Sequence, residues 1–199
     1  MIDSPAAKRP IALAIFLIIS GAIGLYSAFE LTLAKFEVLE NPQATLSCNF
    51  SLIVQCGKNL ESAQGAIFGF PNPVFGLGCF VAPIAVGVGV LAGAQFARWF
   101  WIAFNVGVAL ALTLVIWLLS QSIFVLGTLC PWCMVVWAVV IPMFWAVTLY
   151  TLSTGIIPTS RSARAFFERA YGWIPIITLL SYVVVAVIAQ LRLDVLAHL

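Results

Sequence analysis

Long uncharged stretches dominate the pattern of polar and apolar positions along the chain. Asp, Glu, Lys and Arg are absent from residues 10–29, 62–97, 99–160 and 170–191. A membrane-spanning helix needs roughly 20 apolar residues, so the first and last stretches each accommodate one span and the third accommodates two. Pro71 and Pro73 interrupt the second stretch, which predicts a short half-helix at about 61–70 followed by one span.

The pattern therefore predicts five membrane-spanning helices. Their expected bounds are about 11–29, 74–96, 99–119, 130–152 and 173–191. Residues 31–73 form a long outer loop, and residues 153–171 form a shorter loop on the other side. The first part of the outer loop, Leu31–Leu39, alternates loosely and is compatible with an extended segment, and Pro42 then stops any helix.

The composition leads to the same class of protein. Apolar residues make up 63% of the 199 residues and charged residues 8%, against roughly 45–50% and about 25% in an average soluble domain. A globule of this size cannot bury that much apolar surface, which excludes a soluble domain and a disordered chain. An outer-membrane β-barrel is also disfavoured, because barrel strands alternate polar and apolar residues, whereas these apolar runs are unbroken. We therefore expect an all-α polytopic membrane protein, with residues 1–199 in a single domain.

The few charges predict the orientation in the membrane. One side of the predicted bundle holds six of the nine basic residues, which are Lys8, Arg9, Arg98, Arg161, Arg164 and Arg169. The positive-inside rule then places the N-terminus in the cytoplasm and the C-terminus on the extracytoplasmic face of the cell (inner or plasma) membrane. The net charge of +2 and the lack of a basic stripe argue against nucleic acid as a partner.

Four of the five cysteines fall on the predicted outer face, where disulfides form and persist. Cys130 and Cys133 form a C-P-W-C motif at the start of the fourth span. A first cysteine at a helix N-terminus faces unpaired N–H groups and the positive end of the helix dipole, which favour the reactive thiolate. Pro131 suits the first helical turn, and the second thiol lies one turn deeper, toward a lipid-soluble electron carrier. A structural disulfide or a zinc half-site is the alternative.

Cys48 and Cys56 are eight residues apart in the outer loop. A disulfide between them would close a small loop, either as a structural staple or as a second dithiol that exchanges electrons with the C-P-W-C pair. The resting pairs are then Cys48–Cys56 with Cys130–Cys133, or a crossed Cys56–Cys130. The single histidine, His198, is at the C-terminus, which disfavours a metal site. Cys79, inside the second span, is expected to be a small apolar filler.

Asn72 lies between two prolines at predicted membrane depth. Unwound backbone is tolerated there where it lines a cavity, so the Asn72 amide could donate to a ligand carbonyl. Capping of the second span is the alternative. Ser62 could cap or start the half-helix.

These residues together resemble the vitamin K epoxide reductase family, especially bacterial homologues without a fused thioredoxin-like domain. The resemblance covers roughly residues 10–152. The motifs that carry it are Cys48, Cys56, Ser62, Asn72 with Phe75-Gly76, and Cys130-Pro131-Trp132-Cys133. DsbB-like quinone reductases place their C-x-x-C soon after the first span, whereas here it opens the fourth.

The resemblance implies a four-helix bundle around a quinone pocket, with a fifth span outside it and the outer loop as a cap. Cys133 would face the quinone, and Cys130 would be its disulfide partner and would exchange with Cys56. Cys48 would react with the external partner. Asn72 would hydrogen-bond a quinone oxygen, beside Phe75, and Ser62 would hold the loop. Trp137 stands where animal members usually have Tyr, so the indole N–H would replace that quinone contact.

The expected function is a quinone-linked disulfide oxidoreductase of the membrane. Its cofactor would be a quinone of the menaquinone, ubiquinone or vitamin K type, and its partner a separate thioredoxin-fold (DsbA-like) protein on the outer face. Two alternatives stay open. One is reduction of a quinone epoxide, and the other is a non-catalytic membrane protein with structural disulfides.

Overall fold

The computed structural model of the chain describes residues 10–43 and 45–197. Seven α-helices lie in this part: α1 (Ile11–Glu40), α2 (Gly57–Glu61), α3 (Asn72–Leu91), α4 (Arg98–Ser120), α5 (Pro131–Ser153), α6 (Arg161–Tyr171) and α7 (Ile174–Leu193). Five of them, α1, α3, α4, α5 and α7, are long and apolar enough to cross a membrane. The prediction of an all-α polytopic protein is confirmed. Lys8, Arg9 and His198 lie outside the described residues.

Helix α1 continues well beyond the predicted first span and ends at Glu40. The expectation of an extended segment at Leu31–Leu39 was wrong, because no proline or glycine interrupts the chain between Gly24 and Pro42. Thirty residues give a helix of about 45 Å, longer than a hydrocarbon core of about 30 Å. The last third of α1 therefore projects beyond the hydrocarbon core.

Helix α3 ends at Leu91, five residues before its predicted end. Gly93 has φ +94°, a left-handed backbone that terminates helices, and its N–H donates to the Val90 carbonyl. Packing of α3 on α1 is close: a Cβ added at Gly87 would lie 2.6 Å from the Ala14 carbonyl oxygen. Small residues at such contacts are typical of packed membrane helices.

Helix α5 lies at the centre of the bundle and packs on α1, α4, α6 and α7. Helix α4 packs on α5, and α3 packs on α1, so α3 and α4 face each other across a cavity. Helix α7 lies at the periphery, where the Trp145 indole donates a hydrogen bond to the Ser181 hydroxyl at 3.3 Å. The arrangement leaves space inside the bundle formed by α1, α3, α4 and α5.

The segment predicted as a loop at 153–171 contains α6. Ser160 caps this helix by accepting a hydrogen bond from the Ala163 N–H at 3.2 Å, and Arg164 pairs with Glu168 one turn later. The Arg164 side chain also donates to the Ser153 carbonyl at the end of α5. The predicted connection between the fourth and fifth spans is therefore partly helical, because these local capping and pairing interactions stabilise a short helix.

Candidate functional site

Cys130 lies at the start of α5, as the C-P-W-C motif predicts. It is the N-cap residue, and Pro131 is the first residue of the helix. The Cys133 N–H donates to the Cys130 Sγ at 3.5 Å. The first thiol therefore receives an unpaired backbone donor of the helix end.

Two backbone hydrogen bonds bring the outer loop to this helix end. The Leu129 N–H donates to the Ile53 carbonyl at 2.7 Å, and the Gln55 N–H donates to the Leu129 carbonyl at 3.0 Å. These bonds form an isolated parallel bridge between Val54 and Leu129. The residues that follow the bridge, Cys56 on one side and Cys130 on the other, are thereby placed side by side.

The sulfur atoms form a short row. Cys48 and Cys56 are joined in a disulfide, whereas Cys130 and Cys133 are free thiols. The Cys130 thiol donates a hydrogen bond to the Cys56 Sγ, and the two sulfurs are 3.3 Å apart. Of the pairings that the sequence left open, the structure contains Cys48–Cys56, with the inner pair reduced and in contact with it.

The first three cysteines of the row are buried among apolar side chains. Cys56 and Cys130 are fully buried, and Cys48 is 4% exposed. Leu31 and Val38, on the projecting part of α1, pack against these cysteines. The long first helix therefore forms one wall around the cysteines.

The pKa of the Cys130 thiol lies below its ordinary value. The largest cause is a hydrogen bond from the Cys133 side chain, which lowers the pKa. Burial raises the pKa by less, and the backbone N–H groups of Cys133 and Trp132 lower it further. Of the two inner cysteines, Cys130 thus has an environment that favours the thiolate, which is the nucleophilic form.

A cavity of about 450 Å³ lies beneath the sulfur row, between α1, α3, α4 and α5. Cys133 is on its wall, half-buried, one turn into α5. The remaining walls are mostly apolar. All four residues predicted at the quinone site also line it, namely Ser62, Asn72, Phe75 and Trp137. Pockets of this size and character accommodate small organic ligands.

Residues 57–70, here called the cap, cover one end of the cavity. Lys35 on α1 donates to the Leu60 carbonyl at 2.8 Å, and the Asn59 amide donates to the Thr128 hydroxyl at 3.2 Å. Ser62 caps the 3₁₀ turn Ala63–Ala66 by accepting from the Gly65 N–H and donates to the Asn59 carbonyl. These bonds fasten the cap to α1 and to the segment before α5.

Asn72 also fastens the cap. Its Oδ1 accepts from the Ile67 N–H at 3.0 Å, and its Nδ2 donates to the Gln64 carbonyl at 2.7 Å. The residue before α3 is Pro71, and the Asn72 side chain bonds back to the cap rather than to the helix end, so the capping alternative was wrong. One amide N–H of Asn72 is left for a ligand.

The other two predicted cavity residues provide apolar surface. Phe75 packs on Phe68 of the cap with ring centroids 4.8 Å apart. Trp137 is 7% exposed on the α5 side of the cavity. Cys79 was expected to be a packed filler, but it is exposed and lines the cavity, because α3 turns this face toward the gap before α4.

Gln64 and Gln121 are cavity residues that the sequence did not assign to the site. Gln121 begins the π-helical turn Gln121–Leu126 after α4. The Gln64 amide donates to the Gln121 side-chain oxygen at 3.4 Å, which joins the cap to α4. The signal in the sequence was Gln121 between two serines inside a 62-residue uncharged stretch, which marks a helix end but not a direction.

Comparison with known proteins agrees with this geometry. The family model of the vitamin K epoxide reductase family matches residues 15–148, which is 134 of the 199 residues. None of the curated proteins matches the chain. The matched part includes both cysteine pairs, the cap and most of each helix around the cavity. The chain belongs to the vitamin K epoxide reductase family of membrane redox enzymes.

Proposed function

We propose that this enzyme makes disulfides by oxidising a thioredoxin-fold (DsbA-like) partner and transfers the electrons to a membrane quinone. The observation that carries the proposal is the sulfur row, in which Cys48 is bonded to Cys56, Cys56 touches Cys130 at 3.3 Å, and Cys133 is on the cavity wall. An arrangement with purely structural disulfides does not require a thiol in contact with one of them.

The first step is exchange with the partner. A thiolate of the reduced partner attacks the Cys48 Sγ, the Cys48–Cys56 bond breaks, and a mixed disulfide forms. The second partner thiolate displaces Cys48. The partner leaves oxidised, and Cys48 and Cys56 are left as thiols with the two electrons and two protons. Cys48 reacts first because it lines a surface pocket, whereas Cys56 is fully buried against Cys130.

The second step moves the electron pair inward. Cys56 as a thiolate attacks the Cys130 sulfur of an oxidised Cys130–Cys133 pair, and Cys133 leaves. Cys48 then attacks Cys56, which restores the outer disulfide and releases Cys130. The product has an outer disulfide and two inner thiols, which is the state of the four cysteines in the structure.

The cavity suits a quinone with an apolar tail, because its walls are largely apolar and its polar side chains are concentrated at the cap. Cys130 and Cys133 would return to a disulfide by passing two electrons and two protons to a quinone of the menaquinone, ubiquinone or vitamin K type held there. Asn72 and Trp137 each have an N–H to offer to its oxygens, Phe75 provides apolar contact, and Ser62 keeps the cap in place.

Reduction of a quinone epoxide is the alternative function. The indole N–H of Trp137 is a donor that holds a hydrogen bond but does not release its proton near neutral pH. It can orient an oxygen of either ligand, and the protons that both reactions consume come from the inner thiols. Absence of turnover when a quinone epoxide is supplied with a dithiol would exclude the alternative.

We propose that the cysteine end of the bundle faces the extracytoplasmic side of the cell membrane, with the N-terminus in the cytoplasm and residues 1–199 acting as one domain. Arg98, at the start of α4, donates a hydrogen bond to the Ile156 carbonyl at 2.6 Å. The turn between α3 and α4 and the segment that leads to α6 therefore lie at the same end of the bundle. Arg161, Arg164 and Arg169 are in α6. The positive-inside rule assigns this end to the cytoplasm.

The test is oxidation of a reduced DsbA-like protein by the purified enzyme with a quinone. We expect stoichiometric loss of partner thiols and formation of quinol, and we expect Cys133→Ala to abolish both. Omission of the quinone from the wild-type reaction is the control and should limit oxidation to a single turnover. Rapid partner oxidation that survives Cys133→Ala would overturn the proposal.

A further inference from the structure

A second pocket, of about 180 Å³, opens at the surface beside the outer disulfide. Six residues line it: Ser47, Cys48, Phe50, Pro131, Trp132 and Val135. Cys48 is 4% exposed, so its sulfur lies at the base of a depression rather than on a protruding loop. A protein sulfur that bonds to Cys48 must come within about 2 Å of it, and its neighbours must then cover this pocket.

The loop beside the pocket presents two large apolar side chains to the outside. Phe50 is 73% exposed and Leu52 is 84% exposed, and neither lies in a membrane-spanning helix. Both are part of the short loop between Cys48 and Cys56. Isolated exposed apolar residues are common, but these two lie on the loop that the disulfide closes, and Phe50 also lines the pocket.

The loop is held in a fixed shape. The Asn49 Oδ1 accepts from the Cys56 N–H at 2.9 Å, and the Phe50 and Ser51 N–H groups both donate to the Val54 carbonyl. The disulfide closes the loop at its base. Phe50 and Leu52 are therefore presented without the conformational entropy that a flexible loop would lose on binding.

The loop is also uncharged. No Asp, Glu, Lys or Arg occurs from residue 41 to residue 57, between Glu40 and Lys58. A partner selected by this surface is recognised by apolar contact and not by charge. Its affinity should then change little with ionic strength, unlike that of complexes steered by opposite charges.

We propose that Phe50, Leu52 and the pocket around Cys48, defined here as the docking surface, bind the reduced dithiol protein through an uncharged apolar surface around its nucleophilic cysteine. The inference rests on the proposed function and adds what selects the partner. A side chain next to the partner's cysteine fills the pocket against Trp132, while Phe50 and Leu52 pack on the partner's apolar surface around that cysteine. Trp132 is itself held by an edge-to-face contact with Tyr26, at 5.6 Å between ring centroids.

The test compares a protein dithiol with a small one that needs no docking surface. Steady-state quinone reduction is measured with a reduced DsbA-like protein and with dithiothreitol, using the wild type and the double variant Phe50→Ser/Leu52→Ser. We expect the double variant to raise the KM for the protein substrate by about ten-fold or more, with kcat nearly unchanged. The rate with dithiothreitol should stay within about two-fold, since it depends on the sulfurs alone.

Leu196→Ser is the matched control, because Leu196 is 75% exposed and does not line the pocket. It should leave both substrates unchanged. The wild-type KM for the protein should also vary less than about two-fold between low and moderate salt. An unchanged protein KM in the double variant would overturn the inference, as would an equal loss with both substrates, which would indicate that the two side chains insert into the bilayer. Failure of the wild type to oxidise dithiothreitol would instead overturn the proposed function.

Discussion

The Sγ atoms of Cys56 and Cys130 lie 3.3 Å apart, although 74 residues separate them in the chain. The contact joins the outer disulfide to the helix end that carries the inner pair. The bridge between Val54 and Leu129 sets this distance through two backbone hydrogen bonds, so it does not depend on a flexible loop.

The contact predicts a trapped intermediate. In Cys48→Ala, Cys56 can attack Cys130 of the oxidised inner pair, but no Cys48 thiol is left to attack Cys56 and release Cys130. After oxidation with a quinone we expect a Cys56–Cys130 disulfide with Cys133 left as a thiol, and non-reducing peptide mapping should detect both. Recovery of an intact Cys130–Cys133 pair with an unmodified Cys56 would contradict the relay.

The lowered pKa of Cys130 predicts a pH dependence. A thiol with a lowered pKa ionises at a lower pH than an ordinary cysteine thiol does. The thiolate absorbance at 240 nm of a Cys48→Ser/Cys56→Ser variant should therefore include a transition at a pH below the ordinary thiol pKa. The main cause is the hydrogen bond from the Cys133 side chain. Adding Cys133→Ala should therefore move the transition to higher pH, and an unmoved transition would assign it to another group.

The Asn72 side chain predicts a link between the stability of the cap and quinone binding. Asn72→Ala removes the hydrogen bonds to the Gln64 carbonyl and the Ile67 N–H, each worth about 1 kcal/mol. We expect a lower unfolding temperature and a raised KM for quinone. Asn41→Ala removes a single exposed bond to the Gln43 N–H and should cost less than about 0.5 kcal/mol. Equal effects of the two variants would contradict this role.

Close packing of α1 and α3 predicts opposite outcomes at two glycines of α3. In Gly87→Ala the new methyl group would lie 2.6 Å from the Ala14 carbonyl oxygen, so the helices must separate, at a cost of about 1–3 kcal/mol. A methyl group added at Gly78 would meet no neighbouring atom within 4 Å. Gly78→Ala should therefore leave thermal unfolding in detergent unchanged or raise it slightly, because alanine is the better helix former.

The proposed orientation predicts which positions are accessible from outside the cell. Lys58, in α2, and Thr159, just before α6, are both exposed. A membrane-impermeant maleimide should add one mass tag to Lys58→Cys in intact cells and none to Thr159→Cys until the membrane is permeabilised. The parent chain, treated in the same way, gives the background from the native cysteines. The reverse labelling pattern would invert the topology.

Much of the fold follows from the sequence because membrane insertion depends on local hydrophobicity. Uncharged stretches of 20 or more residues form spans wherever they occur, and Pro131 after Cys130 starts a helix by its fixed φ. The identity of the cavity residues Ser62, Asn72, Phe75 and Trp137 was also predictable, since the family resemblance gives their order and spacing. The projecting end of α1 and the short helix α6 were not predicted, although local signals indicate both. No proline or glycine interrupts the chain between Gly24 and Pro42, and Ser160 caps α6.

The tertiary structure alone decided how these elements meet. No local pattern states that Lys35 reaches the Leu60 carbonyl, that Gln64 contacts Gln121, or that the Cys79 face of α3 turns toward a cavity. Such contacts depend on helix directions, and a single residue of helix rotates a side chain by about 100°. The sequence by itself therefore determined a five-span redox protein with two cysteine pairs. Only packing decided that Cys56 touches Cys130 and that Cys133 faces the cavity, because distances between remote residues arise from the sum of all helix contacts.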